Sequence, residues 1–291
     1  MNPFRIIVPA SSANVGPGFD SMGLALELYL TLDVEASDQW ELIFNDSPLN
    51  YEDNLIYKVA KETANRFGKE LPSLKVVETS EIPLARGLGS SSSAILAGIE
   101  IANQSCDLGL TNEQKLQYGT EFEGHPDNIA PALLGGLVIS TVVDHEIHHI
   151  TLKELELDVI VYIPSVELKT EEARSVLPET YSRDLAAHAS GVSNIAVASL
   201  LSANYELAGK MMEHDLFHEP YRKGLIPNYD MIRNEAKNLG VFGTMISGAG
   251  PTMLSIVQKG KGQEIANMMQ DKLLDYQVKA LGIDVQGMKV I

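Results

Sequence analysis

The segment Glu81–Asn103, EIPLARGLGSSSSAILAGIEIAN, restricts the possible fold more than any other stretch of the chain. Pro83 to Ser93 crowds glycines and hydroxyls into a loop that suits neither a helix interior nor an ordinary strand. Before it, Leu74-Lys75-Val76-Val77 reads as a strand. From Ala94 the small and aliphatic residues Ile95, Leu96, Ala97, Ile99, Ile101 and Ala102 read as a buried helix. A strand, a Gly/Ser loop and a helix N-terminus together present unpaired backbone N–H groups and a positive dipole end to an anion. Gly87 and Gly89 admit left-handed backbone angles and close approach of a phosphate, while the serines add hydroxyls. Two familiar phosphate loops are excluded. No Gly-Lys pair is followed by Ser or Thr, as G-x-x-x-x-G-K-[ST] demands, and the third glycine of G-x-G-x-x-G would fall on Ser92.

The 291 residues suffice for one large or two modest domains. A net charge of −17 argues against a nucleic-acid partner. It also means that an anionic substrate must be met by locally placed Arg, Lys, backbone N–H or metal. The single Cys106 excludes a disulfide framework and a cysteine-based zinc site, and reads as a small buried or half-buried residue. MNPFRIIVPA is too short and polar for a signal peptide, and no run of about 18 apolar residues exists. A cytoplasmic protein without membrane attachment is expected, and a homodimer is compatible with the sequence.

Along the chain, Phe4–Val8 reads as a strand leading into the polar segment PASSANVGPGFD. Met22–Val34 alternates as a strand, with Trp40–Phe44 expected to pair with it. Asn54–Phe67 has helical spacing, and Thr111-Asn112-Glu113 reads as the cap of a helix running towards Glu121. Val143–Ile150 reads as a hairpin, whose Asp144-His-Glu-Ile-His-His149 run fits an exposed strand edge better than a metal site. Leu157–Ile163 is a fully apolar strand, Leu185–Leu216 a long helical region, and Tyr229–Leu239 a further helix. Thr244–Gln258 reads as two strands around a Gly-rich turn, and Gly262–Tyr276 as a last helix. The strands are grouped rather than strictly alternating with helices, which favours α+β over a doubly wound sheet. A composition shift near residues 150–156 marks a boundary, giving 1–155 and 156–291.

Three polar, Gly-bearing segments lie far apart: PASSANVGPGFD, PLARGLGSSSS and SGAGPTM. In this order and at this spacing the chain resembles the GHMP small-molecule kinases over nearly its whole length. Pro83-x-x-x-Gly87-Leu88-Gly89-Ser90-Ser91 is similar to the family's phosphate loop, Asn14–Asp20 to its first motif, and Ser247–Thr252 to its third. Glu123–Asn128 with Ala130-Pro131-Ala132, and Thr170-Glu-Glu-Ala-Arg174-Ser-Val-Leu-Pro178, resemble the branch acting on L-homoserine.

The resemblance implies a two-domain α+β architecture, with a mixed-sheet ATP-binding half and a ferredoxin-like second half. It implies ATP and Mg²⁺ as cofactors and the L-homoserine hydroxyl as phosphoryl acceptor, in threonine biosynthesis. The triphosphate is expected along Pro83, Leu84, Ala85, Arg86, Gly87, Leu88, Gly89, Ser90, Ser91, Ser92 and Ser93, with Asn54 near the adenine. Ser91 and Glu123 are expected to hold the metal, Glu121 being the competing choice, since Mg²⁺ prefers oxygen ligands. Asn14 and Asp20 are expected near the substrate amine, Arg174 and Arg222 around its carboxylate, and His125 and Asn128 at the pocket's border. An arginine fork suits a carboxylate where Lys would not. In some family members an aspartate matching Asp127 is taken as the base, while a base-free route is also argued. Phosphoryl transfer depends mainly on alignment and electrostatics, so Asp127 is expected to orient the hydroxyl. SGAGPTM is compatible both with closing over the substrates and with a tight hairpin needing glycine.

Overall fold

The computed structural model describes residues 1–45 and 47–291. Its first sheet grows from β1 (Phe4–Ala13) and β2 (Met22–Ala36), paired antiparallel. Along β2 the buried Leu28, Leu30, Leu32 and Val34 alternate with more accessible Tyr29, Thr31 and Asp33, as the period-two pattern requires. Next come β3 (Glu41–Phe44), β4 (Ser47–Leu49), α1 (Leu55–Arg66) and β5 (Leu74–Ser80). They are followed by α2 (Ser90–Ser105), α3 (Asn112–Glu123), α4 (Pro126–Leu134), β6 (Leu137–Val143) and β7 (Glu146–Leu152). The sheet order is β12-β1-β2-β5-β3-β4, where β12 is Lys289–Val290, and the β6–β7 hairpin pairs with the start of β2.

The expected pairing of Trp40–Phe44 with β2 is not found. β5 occupies that edge of β2, and β3 lies beyond it, parallel to β5. A parallel pair needs a crossover. Helix α1 supplies one, burying Ile56, Val59, Ala60 and Ala64. Alternation shows that a strand exists but not which neighbour it takes.

The second half runs β8 (Leu157–Pro164), α5 (Thr170–Ser175), α6 (Arg183–Leu201), α7 (Tyr205–Met212), α8 (Glu219–Arg222) and α9 (Tyr229–Asn238). It ends with β9 (Gly243–Ile246), β10 (Met253–Gln258), α10 (Gly262–Gln270) and β11 (Tyr276–Leu281). The antiparallel order β11-β8-β10-β9 is ferredoxin-like, as expected. The expected helix over Leu185–Leu216 divides at Ala203, which is left-handed, and Asn204 caps α7 by accepting from the Leu207 N–H. The last helix stops at Gln270, and Tyr276 opens β11 instead.

Apart from Asp158, which accepts from the Gly260 and Gly262 N–H groups, β8 is apolar because both its faces are covered. Ile160 and Tyr162 face the cluster of Ile232, Ala236, Ile265 and Met269, while Val159, Val161 and Ile163 join the larger core. The chain end returns to the first sheet, Ile283 bridging Leu26 and β12 pairing with β1. Among the described residues no helix is long and apolar enough to cross a membrane.

Candidate active site

Helix α2 begins at Ser90, one turn earlier than its apolar residues suggest, so the serines form its first turn. Its N-cap, Gly89, is left-handed and offers no side-chain cap, which leaves the first N–H groups free for a ligand. Gly87 is left-handed as well, and a Cβ there would stand 2.3 Å from the Ser247 carbonyl. Not every residue of the loop can reach a phosphate with its side chain. Ser92 and Ser93 are buried, and the Ser93 hydroxyl donates to the Pro9 and Gly89 carbonyls. Leu88 is buried, and its carbonyl accepts from the Ser11 N–H. Arg86 donates to the Pro164, Ser165 and Leu84 carbonyls and pairs with Glu167, so its guanidinium braces the loop. Pro83 has no N–H to offer.

Two cavities meet at Ala85, Ser90 and Ser91. One, of about 540 Å³, is walled by Leu30, Leu49, Leu55, Ile56, Ile82, Leu84 and Ala94, with Asn54, Glu78 and Ser80 as its polar groups. Asn54 also caps α1, accepting from the Ile56 N–H at 2.8 Å. Burial pushes the Glu78 carboxyl up. The other cavity, of about 520 Å³, is polar and gathers Asn14, Asp20, Ser91, Glu123, His125, Asp127, Asn128, Arg174 and Arg222 from both halves of the chain.

The first loop, between β1 and β2, carries Asn14, Val15 and Asp20 at positive φ, a conformation that costs a non-glycine residue on the order of 1–3 kcal/mol. What holds it there is visible. The Asn14 amide donates to the Gly248 carbonyl at 2.9 Å and accepts from the Asp20 N–H at 3.0 Å. Asn14, expected as a ligand, thus has both ends of its amide engaged by the chain. Asp20 and Arg174 pair at 2.7 Å and 3.3 Å, fork to fork. Arg222 is buried, 2% exposed, with its Nε donating to the Ala173 carbonyl and its Nη1 to Gly248. Burial and the neighbouring Arg174 lower its pKa to about 10, which leaves it charged at neutral pH.

α4 starts at Pro126, and Asp127 in its first turn is buried with its carboxylate against the His125 Nδ1. Burial alone would lower the His125 pKa, but the hydrogen bond and charge of Asp127, with the charge of Asp20, carry it upward. The Asn128 carbonyl oxygen accepts from the Ser11 hydroxyl, and its NH₂ has no acceptor among the described residues. The third segment is both a turn between β9 and β10 and a wall of the polar cavity. The Ser247 hydroxyl donates to the Gly87 carbonyl at 2.6 Å, and the Gly248 N–H donates to the Ala13 carbonyl.

The rival glutamates separate cleanly. Glu121 points outward to Arg66 at 2.6 Å, whereas Glu123 faces the cavity with the Ser91 hydroxyl 3.1 Å away. A hydroxyl and a carboxylate at the mouth of the phosphate loop are the hard oxygen donors that Mg²⁺ takes, so this pair fits the ion. Asp20, His125 and Asp127 form a tight group of potential metal-binding side chains, but the ring nitrogen and the Arg174-paired carboxylate suit Mg²⁺ poorly. His145, His148 and His149 sit on the exposed hairpin, outside that group. Sequence reasoning passed over Phe19 and His218, which stack at 5.5 Å beneath the arginines, and Lys169, which lines the polar cavity. A histidine four residues before Arg222, on the same helical face, was the available signal.

Known proteins resemble this chain in sequence and in fold. The sequence profiles for the GHMP kinases N terminal domain and the GHMP kinases C terminal match residues 54–136 and 196–274. A homoserine kinase of Oceanobacillus iheyensis is 57% identical over 100% of this chain and 99% of its own length. The crystal structure of a homoserine kinase from Cytophaga hutchinsonii superposes with a TM-score of 0.88 at 28% identity, covering 100% and 98% of the two chains. A mevalonate kinase of Methanococcus jannaschii shares the fold, with a TM-score of 0.73 at 20% identity over 96% and 98%.

Proposed function

The chain belongs to the GHMP kinase family, and we propose that it transfers the γ-phosphoryl group of ATP to the side-chain hydroxyl of L-homoserine, yielding O-phospho-L-homoserine and ADP. The observation that carries the acceptor is the charge layout of the polar cavity. Arg174 and Arg222 stand with Asp20, Asp127 and Glu123 around one space, which suits an amino-acid zwitterion better than an uncharged sugar. ATP takes the apolar cavity with its base, where Asn54, Glu78 and Ser80 are the polar groups in reach. Its phosphates lie along Gly87–Ser91, on the N–H groups that open α2. Ser91 and Glu123 hold Mg²⁺, which when bound neutralises phosphate charge. Residues 1–155 supply the phosphate loop, Glu123 and Asp127, and 156–291 supply the arginines and the Ser247–Pro251 turn. The reaction belongs to the cytoplasm, in threonine biosynthesis.

In the transfer, the homoserine oxygen attacks the γ-phosphorus as the bond to the β–γ bridging oxygen breaks, the hydroxyl proton passes to an oxygen of the transferred phosphoryl group, and ADP departs with the electrons of the broken bond. Asp127, held by His125, orients the hydroxyl, and transfer relies on alignment and charge neutralisation. Arg174 and Arg222 fix the carboxylate end, so the hydroxyl is aimed by the opposite end of the molecule. A coupled ADP-release assay across L-homoserine, mevalonate, galactose and serine tests the reading. Best turnover on homoserine is expected, and best turnover on any other overturns it.

A further inference from the structure

We propose that His218, as a neutral buried imidazole, is a positioning residue that fixes Arg222 and the first loop together and so sets the affinity for the acceptor's carboxylate. The inference rests on the reading that Arg222 meets that carboxylate.

His218 is 0% exposed and touches neither substrate cavity. Its Nε2 lies 3.0 Å from the Gly16 carbonyl, which can only accept, so the proton is on Nε2. Its Nδ1 lies 3.4 Å from the Arg222 Nη1, which can only donate, so Nδ1 must keep its lone pair. Only the neutral Nε2–H tautomer satisfies both. A protonated ring would set an N–H against the guanidinium. The charged groups that act on the ring are Asp215 at 3.6 Å, Arg222 and Asp20. Burial, the largest influence, and the Arg222 charge hold its pKa low against the pull of Asp215 and Asp20.

The ring is itself set by its surroundings. Asp215 accepts the N–H groups of Phe217, His218 and Glu219, and so fixes the turn that opens α8. Phe19 stacks on the imidazole, and both Arg174 and Arg222 lie over the Phe19 ring at 5.7 Å and 5.4 Å. Arg222 is therefore held at Nε by Ala173 and at Nη1 by Gly248 and His218, while Nη2 has no acceptor among the described residues. That unengaged edge is the one available to a ligand. Gly16 belongs to the loop whose Asp20 orients Arg174, so one ring restrains both arginines.

The test compares L-homoserine with 3-amino-1-propanol, the same amino alcohol without its carboxylate, in H218L, H218Q and R222M. In H218L the KM for homoserine is expected to rise about ten-fold, the worth of one hydrogen bond to a charged group. The KM for ATP and for the carboxylate-free alcohol should stay within two-fold. H218Q, which offers a neutral donor and acceptor, should recover most of the loss. If H218L fails to fold, H218Q carries the test, with a rise of about three-fold for homoserine alone. Equal rises for both acceptors, or none for homoserine, overturn the proposal. R222M separates the two claims. Loss of homoserine selectivity in R222M but not in H218L overturns the role of His218 alone, whereas no loss in R222M overturns the carboxylate reading and the proposal with it.

Discussion

Gly87→Ala tests whether the phosphate loop and the Ser247–Pro251 turn are one packed unit. Two costs add at this position. A left-handed alanine costs roughly 1–2 kcal/mol, reduced by the 0.4–1 kcal/mol that a stiffer unfolded chain returns. The second cost is steric: the new Cβ would sit 2.3 Å from the Ser247 carbonyl and 2.8 Å from that of Gly250. The Ser247 oxygen cannot move aside freely, because it accepts from the Gly250 N–H at 2.9 Å while the Ser247 hydroxyl holds Gly87. Overpacking of this kind adds about 1–3 kcal/mol, for a total of about 2–4 kcal/mol. Gly68 supplies the control. It is left-handed too, but a Cβ there meets nothing within 4 Å, so Gly68→Ala carries the conformational cost alone, about 1 kcal/mol. At roughly 2–4 °C per kcal/mol, thermal unfolding should show a fall of about 4–16 °C for Gly87→Ala and about 2–4 °C for Gly68→Ala. Displacing the loop by an ångström should also cut kcat/KM for ATP on the order of 10²-fold. Equal Tm shifts for the two variants would refute the packing argument.

Asp127→Asn should lower kcat by less than about 10²-fold if the carboxylate orients; a loss of several orders with unchanged KM would make it the base. Glu123→Gln should raise the Mg²⁺ concentration needed for half-maximal rate about ten-fold or more, whereas Glu121→Gln loses only a surface pair with Arg66 worth about 0–1 kcal/mol; titration of the rate with Mg²⁺ decides, and equal shifts would return Glu121 to consideration. Two buried groups tilt stability against pH in opposite directions. His218 has a lowered pKa, so below about 6.5 the unfolded chain takes a proton the folded one refuses, and stability falls with falling pH. Glu219 is pushed up to about 7 by burial, against the Tyr229 hydroxyl and the Ile246 N–H, so between about 4.5 and 7 the folded chain holds a proton the unfolded one releases, and stability falls with rising pH. From pH 5 to 7 the slope of Tm against pH should therefore be more positive in Glu219→Gln, and more negative in His218→Gln, than in the unsubstituted chain.

The phosphate end of the site was legible in the sequence because its signal is local. Gly87, Gly89 and the following serines announce a left-handed approach to a helix N-terminus within eleven residues, and the structure puts that helix start at Ser90. Side-chain direction was not legible in the same way. Ser92 and Ser93 look like Ser90 and Ser91 in sequence, yet the 3.6-residue period turns them into the core. The choice of Glu123 over Glu121 likewise waits on the phase of α3, which sends Glu121 to Arg66. β3 shows the same limit in a sheet, since its partner β5 lies across a crossover helix. For Arg222, charge alone suggests a surface residue. Two of the groups that receive it when buried are carbonyls contributed by Ala173 and Gly248, far away in the chain.

Those long-range bonds also explain how left-handed backbone is held at the site. Asn14, Val15 and Asp20 in the first loop and Ala85 in the second adopt left-handed angles without being glycine, and all but Val15 line the polar cavity. Each loop is held by the third. Gly248 accepts from Asn14 and Arg222 and donates to Ala13, while Ser247 donates to Gly87. Strain of this kind persists only where surrounding contacts over-determine it, and here the contacts come from the opposite half of the chain. The form of the 14–20 loop and of the Gly87 loop therefore leans on the turn that β9 and β10 present between them. Phosphate binding and carboxylate recognition share that one support, so a change at Gly248 should weaken both substrates together, whereas a change at His218 should touch the acceptor alone.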